Sequence, residues 1–102
     1  MKRLTLTMML SACAALAAPA YAADVAAGKA LAEDSCADCH GGDGAGDADF
    51  PAINGMSAEA FTKAMKEYAD GTRTESAKMT KVAKKLSDAD IASLAAYYAT
   101  LK

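Results

Sequence analysis

The 102-residue sequence lacks the patterns that mark several common function classes. It has no long basic run, and its formal net charge of -2 argues against a nucleic-acid partner. No four consecutive residues alternate convincingly between apolar and polar, so no β-strand is expected and the chain is predicted to be all-α. No general base, nucleophile or phosphate-binding loop stands out, so the composition does not indicate an enzyme.

A long hydrophobic run is also absent, because the apolar stretch near the N-terminus ends at Leu16 and is too short to span a membrane. Its basic start and the small-x-small pattern at residues 20–22 are typical of a secretory signal. We therefore predict a signal peptide over residues 1–22 and one domain over residues 23–102, which places the mature protein in the periplasm. The Leu-Ser-Ala-Cys sequence ending at Cys13 resembles a lipobox, so a lipid anchor there is an alternative.

Histidine and cysteine are scarce, and the few that the predicted domain contains stand together. Cys36 and Cys39 are three residues apart, and His40, the single histidine of the chain, follows directly. This spacing predicts covalent attachment of one c-type haem. Two thiols on one helical turn can reach both vinyl groups of a porphyrin edge, and the next imidazole can bind the iron.

Three other interpretations of the Cys-x-x-Cys pattern are weaker. A thioredoxin-type redox pair belongs next to a βαβ pattern, which this sequence does not have. A zinc site needs a second pair of ligands, and no cysteine or histidine follows His40. A disulfide between Cys36 and Cys39 would close a very small loop and would stabilise the chain little.

The hydrophobic periodicity predicts helices on both sides of this motif. A first helix begins after Asp24 and leads into the motif, and Gly28 within it suggests that another helix crosses closely. Residues 41–55 are rich in glycine and aspartate and are predicted to be a loop that wraps the haem. Further helices are expected over residues 58–70, as one or two turns within residues 75–85, and from a cap at Ser87 to the C-terminus.

The second axial ligand of the iron cannot be another histidine of this chain. Methionine, lysine, tyrosine or an open site remain. Met65 lies on the apolar stripe of its predicted helix and is interpreted as core, and Met56 lies too close to the loop that should cover the His40 side. Met79 comes far enough along the chain to reach the opposite face, so Met79 is the predicted ligand.

Taken together, the motif at residues 36–41, the glycine-rich loop with Pro51, Met79, and residues 86–98 resemble the small bacterial class I cytochromes c. The resemblance implies three main helices and a short one around one haem, with the first and last helices crossing where Gly28 meets Leu94 and Tyr97. It also implies that the carbonyl oxygen of Pro51 accepts a hydrogen bond from the second ring nitrogen of His40.

The functional prediction is an electron-transfer protein that exchanges single electrons with a redox donor and acceptor and is not itself an enzyme. Residues 50–55 and 68–73 look most like the haem units of flavocytochrome c sulfide dehydrogenases, so a haem subunit of such a flavoprotein is the first alternative. A gas-binding sensor and a haem-free thiol oxidoreductase are two others. One departure from many relatives is Lys78, which stands where they have a second methionine beside the ligand.

Overall fold

The computed structural model describes residues 24–101. The predicted signal peptide and the lipidation alternative at Cys13 lie outside the described residues. Within them the chain forms helices and no strand, which confirms the all-α prediction. The helices are α1 (Val25–Ser35), α2 (Ala37–His40), α3 (Ala58–Asp70), α4 (Ala77–Lys84) and α5 (Asp88–Ala99).

The four longer helices all begin at a side-chain cap. The starts of α1, α3 and α5 were predicted, whereas the start of α4 at Ala77 was not, since only one or two turns within residues 75–85 were expected. In each case a side-chain oxygen of the cap accepts a hydrogen bond from a backbone N–H of the first turn. The capping residues are Asp24, Ser57, Ser76 and Ser87. Ser87 and Asp90 form a reciprocal capping box. Helix α3 ends at Gly71, which takes the left-handed conformation with φ of 86°.

Helices α1 and α5 make the most extensive helix–helix contact of the fold, and Gly28 is the point of closest approach. A Cβ on residue 28 would overlap the carbonyl group of Ser93 and lie 2.8 Å from the Cβ of Tyr97. The predicted partner Tyr97 is therefore confirmed. The other atoms nearest to that Cβ belong to Ser93, which was not predicted. Leu94, the next residue of α5, is fully buried in the core, and its contact with Gly28 stays a prediction.

The core lies between α3 and α5 and extends to α1 and α4. Phe61 of α3 stacks on Tyr98 of α5, with ring centroids 5.6 Å apart and the planes inclined by 19°. Met65 is only 4% exposed, as its assignment to the core predicted. The other buried apolar residues are Ala32, Cys36, Ala83, Ile91, Leu94 and Ala95.

The long connection between α2 and α3 has no regular secondary structure, as predicted for residues 41–55. Backbone hydrogen bonds fold it back on itself, since the N–H groups of Ile53 and Asn54 both donate to the carbonyl of Gly44, at 2.7 and 3.0 Å. The N–H of Gly55 donates to the carbonyl of Tyr98 at 2.9 Å. The loop is thereby anchored at the end of α5 and is held against α2.

Candidate functional site

The Cys-x-x-Cys-His motif occupies the junction of α1 and α2. The N–H of Cys36 still bonds to the carbonyl of Ala32 at 2.9 Å, as in a continuing helix, and the carbonyl of Cys36 accepts from the N–H of His40 at 3.0 Å. Both thiols are free. One helical turn therefore presents Cys36, Cys39 and His40 as a rigid unit.

His40 is buried and held in one orientation. It is 6% exposed, and its Nδ1–H donates to the carbonyl oxygen of Pro51 at 2.8 Å. The ring of Phe50 meets the imidazole edge-on, with centroids 6.1 Å apart. The hydrogen bond that the family resemblance implied is thus present. It leaves Nε2 as the ring nitrogen that can bind a metal, since the proton is on Nδ1.

Gly46 makes the contact between Pro51 and His40 possible. Its φ is 69°, and a Cβ there would overlap the carbonyl group of Phe50 and lie 2.7 Å from that of Pro51. Its N–H donates to the carbonyl of His40 at 2.7 Å. A larger residue at position 46 would push the Pro51 segment away from the imidazole.

A cavity of about 540 Å³ opens in front of the motif. Cys36, Cys39 and His40 form one part of its wall, and most of the rest comes from the loop, α3, α4 and the segment between α3 and α4. Most of these side chains are apolar: Phe50, Ile53, Met56, Phe61, Ala64, Met65, Met79 and Val82. Its volume lies within the range of about 300–1,000 Å³ that is usual for ligand and cofactor sites. A flat apolar macrocycle with two groups that react with thiols fits this arrangement.

The structure brings every sequence-predicted site residue to this cavity, namely Cys36, Cys39, His40, Pro51 and Met79. Met56 and Met65 also line the cavity. The sequence predicted Met56 near the loop on the His40 side and Met65 in the core. The three methionines differ in burial, because Met65 belongs to the buried core whereas Met56 and Met79 are only partly buried. Among residues 24–101 no group of three His, Cys, Asp or Glu side chains could hold another metal ion.

Burial controls the protonation of two groups beside the motif. It raises the pKa of the Cys36 thiol, and a hydrogen bond with the Tyr98 hydroxyl opposes this with a smaller effect. Burial also raises the pKa of Tyr98. Before any thioether bond forms, both groups are therefore neutral at physiological pH. No local pattern pairs Cys36 with a residue 62 positions later, so the sequence could not reveal this contact.

The sequence analysis did not single out Arg73, whose guanidinium lines the same cavity. It is paired with Glu67, at 2.8 Å between Nη2 and Oε1. A separation of six residues is not one that a regular helix brings together, so no spacing rule signalled the pair.

An all-helical chain whose cavity opens on a Cys-x-x-Cys-His turn, with the imidazole fixed by a backbone carbonyl, defines a protein that binds haem c covalently. The family model for cytochrome c matches residues 25–102, and the chain belongs to the cytochrome c family. It is therefore a haem-based electron-transfer protein, a carrier rather than an enzyme, and it exchanges electrons with redox partners. Cys36 and Cys39 are the residues with the spacing for the two thioether bonds.

Similar proteins support this assignment. Cytochrome c-554(548) of Halomonas halodenitrificans is 45% identical over 78% of this chain and 98% of that protein. The thiosulfate dehydrogenase electron acceptor of Thiomonas intermedia is 39% identical over 67% of this chain and 32% of that protein. The structure of cytochrome c4 from Acidithiobacillus ferrooxidans superposes with a TM-score of 0.71 at 28% identity, over 79% of this chain and 51% of that one.

This chain thus spans about half the length of that cytochrome c4. None of these three proteins is named as a sulfide dehydrogenase, so the resemblance to such units stays a prediction. Within residues 24–101, no helix has the length and apolar content needed to cross a bilayer.

Proposed function

We propose that the protein carries single electrons in the periplasm through one haem c whose iron is bound by His40 and Met79. When both axial positions are occupied by protein, the iron has no open position for a substrate, so the cofactor supplies only electron transfer. The observation that carries the proposal is that one cavity joins the Cys36–Cys39 pair, the oriented imidazole of His40 and the thioether of Met79.

His40 suits the role of proximal ligand for a physical reason. Its Nδ1–H is engaged by the Pro51 carbonyl, which fixes the ring orientation and makes Nε2 more basic. The ring cannot rotate away without leaving the N–H of the buried imidazole unpaired, which costs about 1–3 kcal/mol.

Met79 suits the opposite position better than the other two methionines. It lies in the first turn of α4, which packs mainly on α3, whereas His40 belongs to α2, which packs on α1. The two residues therefore come from parts of the cavity wall that pack on different helices, which supports binding from opposite faces. Met65 packs in the core, and Met56 precedes the Ser57 cap of α3. A thioether ligand favours the reduced iron and raises the reduction potential.

Substitution of Met79 tests the ligation. We expect the wild-type ferric protein to show the weak far-red band of sulfur-to-iron charge transfer, and Met79→Ala to lose it. Met79→Ala should also have a lower reduction potential and should bind carbon monoxide in the reduced state. Because Lys78 could offer its amine at high pH, the measurement belongs near neutral pH and is repeated in Met79→Ala/Lys78→Ala.

Met65→Leu and Met56→Leu are the matched controls, since a volume-conserving change of a packing residue costs less than about 1.5 kcal/mol. Both should keep the band, the potential and the resistance to carbon monoxide. A band that persists in Met79→Ala and disappears in either control would assign the ligand to that other methionine.

The proposed location follows from the signal-like residues 1–22. Intact mass of the mature protein should equal residues 23–102 plus one haem that acid–acetone does not extract. A mass beginning at a diacylated Cys13 would instead establish the lipid anchor.

For the partner we propose an exported dehydrogenase as electron donor, with a flavoprotein as the candidate that the sequence resemblance suggests. The relative named a thiosulfate dehydrogenase electron acceptor supports a dehydrogenase in this role. A pull-down from periplasmic extract with the haem-loaded protein tests it. Recovery of a flavin-containing dehydrogenase is the expected result, and recovery of only flavin-free proteins would refute the flavoprotein assignment.

A further inference from the structure

The segment between α3 and α4 is tied to α3 by the side chain of Arg73. Its Nε and Nη2 both donate to Oε1 of Glu67, at 3.2 and 2.8 Å, and its backbone N–H donates to the carbonyl of Glu67 at 3.0 Å. The guanidinium also lies over the ring of Tyr68, 5.6 Å from its centroid. Three separate contacts thus join one residue of the segment to the last turn of α3.

This attachment is half-buried, unlike an ordinary surface ion pair. The side chains of Arg73 and Glu67 are 34% and 27% exposed. The second acidic neighbour, Glu75, is 3.8 Å from Nη1 and is 71% exposed. A charge-assisted contact with two donors is both stronger and more directional than a single one, and lysine cannot reproduce it because it lacks the planar fork.

Arg73 connects to Met79 through a short path. Arg73 and Tyr68 line the cavity together with Ser76 and Met79. Ser76 ends the segment, and its Oγ accepts from the N–H of Met79 at 3.1 Å, which starts α4 at that point. The position of the thioether therefore depends on where Ser76 lies, and Arg73 fixes the segment three residues before it.

We propose that Arg73 is a positioning residue that clamps this segment onto α3 and so keeps Met79 at the haem. The inference rests on the proposed ligation by His40 and Met79. Glu67 and Tyr68 are the fixed side of the clamp, and Glu75 contributes little. Without the clamp, the segment from Gly71 to Ser76 can shift outward and withdraw the thioether from the cavity.

The experiment uses the haem-loaded full chain with Arg73→Gln, Arg73→Lys and Glu67→Gln. Lys66→Gln is the charge-matched control, since it removes a positive charge from an exposed position of α3. The readouts are the far-red thioether band in the ferric state and the rate of carbon monoxide binding to the reduced state near neutral pH. Neither readout changes when a protein merely loses global stability and remains folded.

In Arg73→Gln we expect the rate of carbon monoxide binding to the reduced protein to rise about tenfold, the change that loss of one charge-assisted contact of ordinary strength produces. Arg73→Lys and Glu67→Gln should show most of this effect, and Lys66→Gln should show none. The double variant Arg73→Gln/Glu67→Gln should be no worse than Arg73→Gln alone, because both remove the same contact.

Two outcomes would overturn the inference. If the potential of Arg73→Gln shifts while its band and its carbon monoxide binding stay as in wild type, Arg73 acts only as a charge near the haem. If the two single effects simply add in the double variant, Glu67 is not the other side of the clamp. Met79→Ala, measured alongside, separates the two proposals. If Met79→Ala loses the band while Arg73→Gln keeps the wild-type band and carbon monoxide binding, the clamp is refuted and the ligation by Met79 stands. If the band survives in Met79→Ala, both the ligation and the clamp are refuted.

Discussion

Replacement of Gly28 by alanine places two opposing effects in competition at the α1–α5 crossing. Alanine in a helix interior is favoured over glycine by about 1 kcal/mol, so propensity alone predicts a more stable protein. The added Cβ, however, would overlap the carbonyl of Ser93 and lie 2.8 Å from the Cβ of Tyr97. Backbone atoms of a neighbouring helix cannot move aside as a flexible side chain can. We therefore expect the helices to be forced apart.

The size of the effect follows from the same contact. Overpacking of a tight interior typically costs about 1–3 kcal/mol, which exceeds the gain from propensity over most of that range. A domain of this size has a total stability of roughly 4–12 kcal/mol. With the propensity gain subtracted, Gly28→Ala should therefore lower the free energy of unfolding by up to about 2 kcal/mol. Gly28→Leu should lower the free energy of unfolding further, since the larger branched side chain must also push Tyr97 aside.

Thermal and urea unfolding of the haem-loaded protein measure the change, and each kcal/mol corresponds to about 4–8 °C in Tm. Ala30→Leu is the control, because Ala30 is exposed on the same helix and its replacement should stay within about 0.5 kcal/mol of wild type. A Gly28→Ala variant that is as stable as wild type or more stable would show that α1 and α5 can move apart without loss of stability. The reasoning from close approach would then be wrong.

Three further changes have expected outcomes. Ser87→Ala removes one half of the capping box of α5 and should lower stability by about 1 kcal/mol in urea unfolding. Hydrogen bonds from Thr72 hold the pKa of Asp70 below its ordinary value. The ionised carboxylate therefore stabilises the fold at pH values above that ordinary value, and this stabilisation is lost as the pH falls. Asp70→Asn should accordingly flatten the acid limb of a curve of Tm against pH. Gly46→Ala should disturb the His40 orientation and change the haem absorption spectrum, whereas an unchanged spectrum would show that the Pro51 segment adapts.

The helices could be predicted from the sequence because their signals are local. Ser57 and Gly71 mark the two ends of α3, and Ser87 marks the start of α5, each through contacts within a few residues. The separation of α1 from α2 was not predicted. The backbone turns at Cys36, where no proline or glycine signals an end.

The parts of the site that sequence reasoning missed depend on contacts between distant segments. It identified Gly28 as a crossing point and Tyr97 as a partner but did not name Ser93, because the rotation of α5 about its axis is set by packing. It assigned Met65 to the core and Met56 to the neighbourhood of the loop on the His40 side, but did not predict that both line the cavity, since the loop and α3 both contribute to its wall. The pairing of Arg73 with Glu67 likewise requires the turn at Gly71.

The pairing of α1 with α5 also bears on when a haem can reach the two cysteines. Most of the helix packing of α1 is with α5, and Cys36 is only 8% exposed in the folded domain. Before these two helices pair, both thiols are open, and a haem can reach them without any local unfolding. Covalent attachment therefore belongs before α1 and α5 come together, and their pairing then closes over the attached group.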